Sequence, residues 1–285
     1  AKAAAPKKAD GVPGPSFAKK SKMKLGTVTY NLAMDWDVPT IIKNCTEAKF
    51  EGVELRTGHK HNVEVALSKA GRAEVRKRFA DSPVALWSMG SAFDYHTIDQ
   101  AKLKKDIADT KEYIVLAQDV GATGVKVRPN GLPKEVPVEK TLEQIGRSLR
   151  ELGEFAANHG QQIRLEVHGS GTSLLQNIKT ILDHANHPMV GACWNSNQTD
   201  LQGAGFDANF NLIKNKIFTV HMRDLFLEEC GELAKASRKS QGMKTDKNSN
   251  EYHVDLETAD VFIYLLRICN DSGFDFEKAA PPPIR

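Results

Sequence analysis

The sequence predicts an α/β protein, a single (β/α)8 barrel with a flexible N-terminal arm and a short, Pro-terminated eighth strand. Three observations carry this. From Leu25 onward, eight short apolar runs alternate with helical patterns. The length, 285 residues, suits an α/β barrel built as one domain. An open doubly wound sheet usually carries a Gly-rich phosphate turn after its first strand, and here that run is followed by Asn31-Leu-Ala-Met-Asp-Trp36, with no GxGxxG and no Walker loop.

Residues 1–24 are rich in Ala, Lys, Pro and Gly, lack hydrophobic periodicity, and read as the arm; residues 25–285 read as the barrel. Leu25 to Tyr30 is the first β-like run. Asp37 is placed to cap a helix through Ala48, with Pro39 tolerated in its first turn. Gly52 to Leu55 is the second strand, followed by a basic amphipathic helix over about Leu67 to Phe79. Val84 to Ser88 is the third strand, and Asp99 caps a helix reaching about Leu116. After the fourth strand, Gly124 to Val127, comes the strongest helical pattern, about Glu139 to Asn158, where Leu142, Ile145, Leu149, Leu152 and Phe155 recur at helical spacing before Gly160. Gln162 to Val167 is strand five, Leu174 to Ala185 a helix, Val190 to Trp194 strand six, and Asn209 to Lys214 a weak helix. Ile217 to Met222 is strand seven. Glu228 to Glu251 is polar and Lys-rich and reads as a surface loop, Val261 to Cys269 as the last helix, and Phe274 to Phe276 as the start of an eighth strand cut short by the Pro-rich end.

Composition narrows the function classes. Hydrophobic residues make up 40% of the chain, enough for a sizeable core, and no stretch approaches the ~18 apolar residues of a membrane span. Net charge is +3, with the surplus partly local: Lys2, Lys7, Lys8, Lys19, Lys20, Lys22 and Lys24 are opposed within the arm only by Asp10. Neither nucleic acid nor membrane is therefore expected as a partner. Cys45, Cys193, Cys230 and Cys269 form no close pair, which argues against a cysteine zinc site or a disulfide framework. The start Ala-Lys-Ala-Ala-Ala-Pro6, without Met, fits a mature exported protein after signal cleavage, with a shortened start as the plain alternative; an exported or periplasmic location is expected ahead of a cytoplasmic one.

Chemistry concentrates where the predicted strands end. In a parallel barrel the C-terminal strand ends open into one shared pocket. Collected there are Tyr30 and Asn31; Glu54, Arg56 and His59; Trp87, Phe93 and His96; Lys126 and Arg128; Glu166 and His168; Trp194, Asn195 and Asn197; His221 and Arg223. A carboxylate ending a buried strand needs a cation or several donors to offset desolvation, so Glu166 is the first candidate for a metal ligand; a salt bridge to Arg128 or Arg223 is the alternative. His221 follows Ile-Phe-Thr-Val and is similarly placed, with a satisfied core histidine as its alternative. Asn195 and Asn197 offer neutral oxygens, or an Asx turn leaving the strand. Lys126 can act as an acid or electrophile, or pair with Glu54 or Glu166. His168 can coordinate, shuttle protons, hold hydroxyls or orient Glu166. Arg56, Arg128 and Arg223 are donor forks suited to a carboxylate, a phosphate or a sugar's oxygens. Trp194, Trp87 and Phe93 can stack on a sugar face or be core. Gly58-His-Lys-His-Asn62 reads as a basic surface loop, and His159, His184, His187 and His253 receive no role.

Through Phe50-Glu-Gly-Val-Glu-Leu-Arg56, Gly124-Val-Lys-Val-Arg-Pro-Asn130, Leu165-Glu-Val-His168, Val190-Gly-Ala-Cys-Trp-Asn195 and Val220-His-Met-Arg-Asp224, the chain resembles the xylose isomerase-like TIM-barrel superfamily, in particular its sugar phosphate isomerase/epimerase group. The order and spacing of these segments, from Leu25 to Phe276, carry the resemblance. It implies a divalent metal (Mn²⁺, Mg²⁺, Co²⁺ or Zn²⁺) held by a Glu, an Asp, a His and a Glu ending strands five to eight. Glu166 and His221 then take the first and third places. Asn195 stands where the family usually has Asp, and Glu277 is the only nearby candidate for the fourth. The departure implies weaker metal binding and a base drawn from Glu54, His96 or Lys126.

The expected function is thus a metal-assisted sugar isomerase or epimerase that removes a proton next to a carbonyl of a small sugar or keto sugar. Catalysis is expected from Glu54, His96, Lys126 and His168; substrate binding from Arg56, Arg128, Trp194, Asn197 and Arg223; metal ligation from Glu166, Asn195 and His221. A lyase or hydrolase on keto-glycosides at the same site, and a carbohydrate-binding barrel whose catalytic set has decayed, are the alternatives. An apurinic endonuclease is disfavoured, because that class gathers three metals and this chain offers too few ligands. The partner expected is the sugar itself, with a homodimer as the assembly allowed.

Overall fold

The computed structural model describes residues 23–222. The arm up to residue 22, Arg223, Cys230, His253, Cys269, Glu277, the Lys-rich segment, the last helix and the eighth strand lie outside the described residues.

Seven strands, β1 (Gly26–Val28), β2 (Gly52–Arg56), β3 (Ala85–Asp94), β4 (Gly124–Arg128), β5 (Gln162–Glu166), β6 (Val190–Asn195) and β7 (Ile217–His221), form one sheet in sequence order, every pair parallel. Between them lie α1 (Val38–Glu47), α2 (Lys69–Ala80), α3 (Gln100–Val120), α4 (Val138–Ala157), α5 (Leu175–Ala185) and α6 (Phe206–Ile213). The sheet is curled: His221 on β7 reaches Glu54 on β2, at 3.6 Å, although four strands separate them. This is the TIM-barrel arrangement, seven of whose strands fall among the described residues.

Local chemistry sets the helix starts. Asp37 accepts from Thr40 N–H at the head of α1, with Pro39 in the first turn; Ser68 accepts from Gly71 N–H before α2; and Asp99 accepts from Ala101 and Lys102 N–H before α3. Gly121 ends α3 at φ 82°, a left-handed conformation that suits glycine. α4 buries Leu142, Ile145, Leu149 and Leu152 on one face, as their spacing predicts.

Strand alternation divides the core in two. Val53 and Leu55, Val125 and Val127, and Ile163 and Leu165 are fully buried in the hydrophobic core between sheet and helices. Their neighbours on the opposite face are Glu54, Lys126, Arg164 and Glu166, all buried. The barrel interior is therefore charged at mid-height. Trp87 closes its lower end: a Cβ at Gly26 or Gly52 would meet the indole at 2.3 or 2.2 Å. Arg164 ties this floor together, donating from Nη1 to Trp87 O (2.8 Å) and from Nη2 to Thr123 Oγ1 (2.7 Å).

The structure departs from expectation chiefly at β3, which runs six residues past Ser88 to Asp94. Ser88, Gly90 and Ser91 are too small and polar to read as strand, and register shifts against β2 and β4 blur the alternation further. The weak sixth helix begins at Phe206, ahead of Asn209, because Phe206 and Phe210 pack with Trp194. A 3-10 turn, Gln198–Leu201, precedes it. No helix among the described residues is long and apolar enough to cross a membrane.

Candidate active site

Lys126 and Glu166 lie on adjacent strands, at the middle of the barrel. Lys126 Nζ donates to Glu166 Oε2 at 2.6 Å, with side chains only 5% and 11% exposed. Arg128 Nε stands 3.5 Å from the same oxygen. Asn195 Nδ2 donates to the other, Oε1, at 3.1 Å. Burial pushes the Glu166 carboxyl up, but the Lys126 ammonium and the hydrogen bonds from Lys126 and Asn195 outweigh it and hold the group at about 2. Glu166 is an ionised carboxylate with both oxygens engaged.

A second pair faces this one. Glu54 Oε2 lies 3.6 Å from His221 Nε2, and Asn195 is His221's register partner across the β6–β7 pair. Burial depresses the imidazole, yet the Glu54 charge and contacts with Cys193 and Glu54 raise it to about 11, so His221 is cationic at neutral pH. Burial likewise raises Glu54, but His221 and Lys126 together hold it below its ordinary value. Glu54 Oε1 is buried and has no hydrogen-bond partner among the described residues, as is true of Asn195 Oδ1. Buried carboxylate and amide oxygens are seldom left unpaired. Glu54, Lys126, Arg128, Glu166, Asn195 and His221, six of the residues predicted from strand ends, are thus brought together.

The rim holds three more. Arg56 lies 4.7 Å from the centre of the Tyr30 ring. His96, after β3, has Nδ1 3.2 Å from Asp94 Oδ1, within ion-pair reach though not aligned as a hydrogen bond. Asp94 also accepts from Asn130 Nδ2 at 3.3 Å, so the pair sits against the β4 exit. His168 follows β5 by two residues and is partly buried, its carbonyl accepting from Thr172 Oγ1.

Trp194 and Asn197 do not join them. Trp194 alternates with Asn195, so its ring turns outward onto Phe206 and Phe210 of α6, and its Nε1 donates to Asp200 Oδ2 at 3.0 Å. Asn197 spends Nδ2 on Val167 O (3.1 Å) and Asn195 O (3.0 Å), holding the β6 exit in the turn that was its alternative reading. Trp87 is floor, and Phe93 packs edge-on against Tyr113.

Gly90 and Asp94 escaped the sequence reading. A Cβ at Gly90 would stand 2.6 Å from Glu54 Oε1, so residue 90 must be bare for that carboxylate to sit where it does. A glycine inside a strand is the signal for such a close approach, but by its apolar pattern the strand ends at Ser88.

The profile of the xylose isomerase-like TIM barrel family matches residues 42–275. The chain belongs to this family. No curated protein matches it. Among solved structures it is similar to an IolI protein with a bound zinc atom (TM-score 0.62, 15% identity, covering 88% of this chain and 99% of that one). It is also similar to the 3-keto-D-glucoside 4-epimerase YcjR from E. coli (0.60, 13%, 87% and 100%) and to a D-psicose 3-epimerase solved with D-fructose (0.60, 14%, 88% and 100%). At these identities the likeness is one of fold.

The metal expected from family resemblance does not fit these side chains as they stand. Among the described residues no three His, Cys, Asp or Glu groups converge as a metal site. Of the expected ligands, Glu166 has Lys126 and Arg128 against Oε2 and the Asn195 N–H on Oε1, and Asn195 is a neutral amide that brings no charge to a cation.

Proposed function

We propose that the chain is a sugar isomerase or epimerase, acting on a small sugar or keto sugar by moving a proton on a carbon next to the carbonyl. The juxtaposition of Glu54 and Lys126 supports this best. Glu54 is ionised, with one oxygen held by His221 and the other, Oε1, buried without a hydrogen-bond partner among the described residues. In this reading that oxygen takes the proton from carbon. Lys126, anchored by Glu166, supplies the positive charge that such a reaction needs at the carbonyl oxygen. The C–H electron pair becomes the C=C bond of an enediol and the carbonyl pair moves to oxygen, beside the ammonium. Proton return to the neighbouring carbon gives an isomer; return to the opposite face of the same carbon gives an epimer. His96, standing over the rim beside Asp94, is the group for the second transfer, and Arg56 and Arg128 hold substrate oxygens. His168 contributes a further polar contact there.

Two of the similar structures, epimerases of D-psicose and of a 3-keto-D-glucoside, fall in this reaction class. A keto-glycoside substrate also supports a second reading: the same carbanion can expel a glycosidic group, which would make the chain a lyase.

The test is exchange of the substrate's α-proton in D2O across a panel of ketoses, aldoses and keto-glycosides. Deuterium incorporation that Glu54→Gln abolishes supports the proposal. Inertness toward the whole panel refutes it. Aglycone release without isomerisation selects the lyase.

A further inference from the structure

We propose that this site is metal-independent, with the buried Lys126 ammonium as the cation that binds and polarises the substrate's carbonyl oxygen. The inference rests on the sugar isomerase reading for the substrate, and on side-chain chemistry for the absence of a metal requirement.

Occupancy comes first. Lys126 Nζ lies 2.6 Å from Glu166 Oε2 and Arg128 Nε 3.5 Å from it. A divalent ion on that oxygen would sit roughly 2.0–2.2 Å away, inside the shell of two fixed cations. Charge balance agrees. Two carboxylates, Glu54 and Glu166, are matched by the two fixed cations Lys126 and Arg128, so among the described residues the cluster carries no surplus negative charge to attract a further two positive charges. The amide that stands for an acid completes the pattern. Asn195 gives its N–H to Glu166, which an Asp could not do, and brings no charge. Asn195, Lys126 and Glu166 are mutually consistent as an ammonium site.

The unspent hydrogen-bonding capacity describes the substrate. Lys126 has three N–H donors, one of which goes to Glu166 among the described residues. Among the described residues Glu54 Oε1 and Asn195 Oδ1 are buried acceptors that make no hydrogen bond, and Arg128 Nε, 3.5 Å from Glu166 Oε2, is a buried donor whose only contact is that ion pair. An open-chain α-hydroxy carbonyl matches this set: its carbonyl oxygen on Lys126 and Arg128, its neighbouring hydroxyl on Asn195 Oδ1, its acidic C–H toward Glu54. Glu166 is then a positioning residue, acting through Lys126.

Three measurements on the full chain decide it. Elemental analysis of desalted protein should find less than about 0.1 equivalent of metal, and calorimetric titration with Zn²⁺ or Mn²⁺ should show no saturable site tighter than about 100 μM. In the exchange assay, EDTA should leave kcat/KM within about twofold, while Lys126→Ala should lose at least ~100-fold and regain part of it with added ethylammonium, which a structural lysine would not. Glu166→Asp should retain more activity than Glu166→Gln. About one equivalent of metal that Glu166→Ala removes, or EDTA inactivation that a metal reverses, overturns the proposal. A wild type that exchanges no sugar proton overturns the isomerase reading alone, and the metal titration still decides whether the site excludes the ion.

Discussion

Glu54 and Gly90 lie so close across the β2–β3 pair that a Cβ on residue 90 would stand 2.6 Å from Glu54 Oε1. The contact is with the end of a flexible side chain, so Gly90→Ala should move the carboxylate at little cost to folding. Turnover should fall by roughly 10- to 100-fold, since misplacing a reacting group by about 1 Å costs that much. The melting temperature should change by only a few degrees. Steady-state kinetics beside calorimetry checks this, and an unimpaired Gly90→Ala enzyme would show that Glu54 is not the base.

Removing one partner of the Lys126–Glu166 pair strands a buried charge. Lys126→Met should destabilise the fold by about 3–5 kcal/mol, whereas Lys126→Met with Glu166→Leu should recover most of that. Neither variant should turn over sugar. Urea midpoints for the four members of the double-mutant cycle measure the coupling, and additive losses would show the pair to be independent.

Stability should peak in mildly acidic solution. Glu166 is held at about 2 in the fold against an ordinary 4.5, so its contribution is complete above 4.5 and is lost as pH falls toward 2. His221 is raised to about 11 against an ordinary 6.5, so its contribution is complete below 6.5 and is lost as pH rises toward 11. Between pH 7 and 10 the unfolded chain binds fewer protons at this residue than the folded one. Stability should therefore decline there, with a limiting slope of about 1.4 kcal/mol per pH unit. Urea unfolding from pH 3 to 10 tests the shape; His221→Gln should flatten the alkaline limb and leave the acid limb in place.

How far the sequence exposes this site follows from what strand periodicity can report. Glu54, Lys126, Arg128, Glu166, Asn195 and His221 were legible because each ends or nearly ends a short apolar run, and a barrel gathers such ends. Pairing within the set was not legible, since Lys126 could have met either carboxylate; only the curl and stagger of the sheet decide for Glu166. Trp194 was placed in the site because one residue's error at a strand end turns a side chain through to the other face. Asn197 reads alike as a ligand or as a turn until its carbonyl partners are known. Gly90 and Asp94 were hidden by a strand whose second half, Ser88 to Asp94, has no apolar alternation to announce it.

Trp194 offers the sharpest check on that inside–outside division. Its ring packs on Phe206 and Phe210, and its Nε1 meets Asp200, all on the helix side of β6. Trp194→Ala should therefore cost about 2–4 kcal/mol of stability, through the cavity and the lost Asp200 partner. The KM for sugar should stay within about twofold, because no ring face is offered to the interior. Arg128→Ala should do the reverse, raising KM by an order of magnitude or more through loss of a charged donor, with a smaller change in melting temperature. Should Trp194→Ala raise KM as much as Arg128→Ala does, the tryptophan touches substrate after all, and β6 presents its other face to the site.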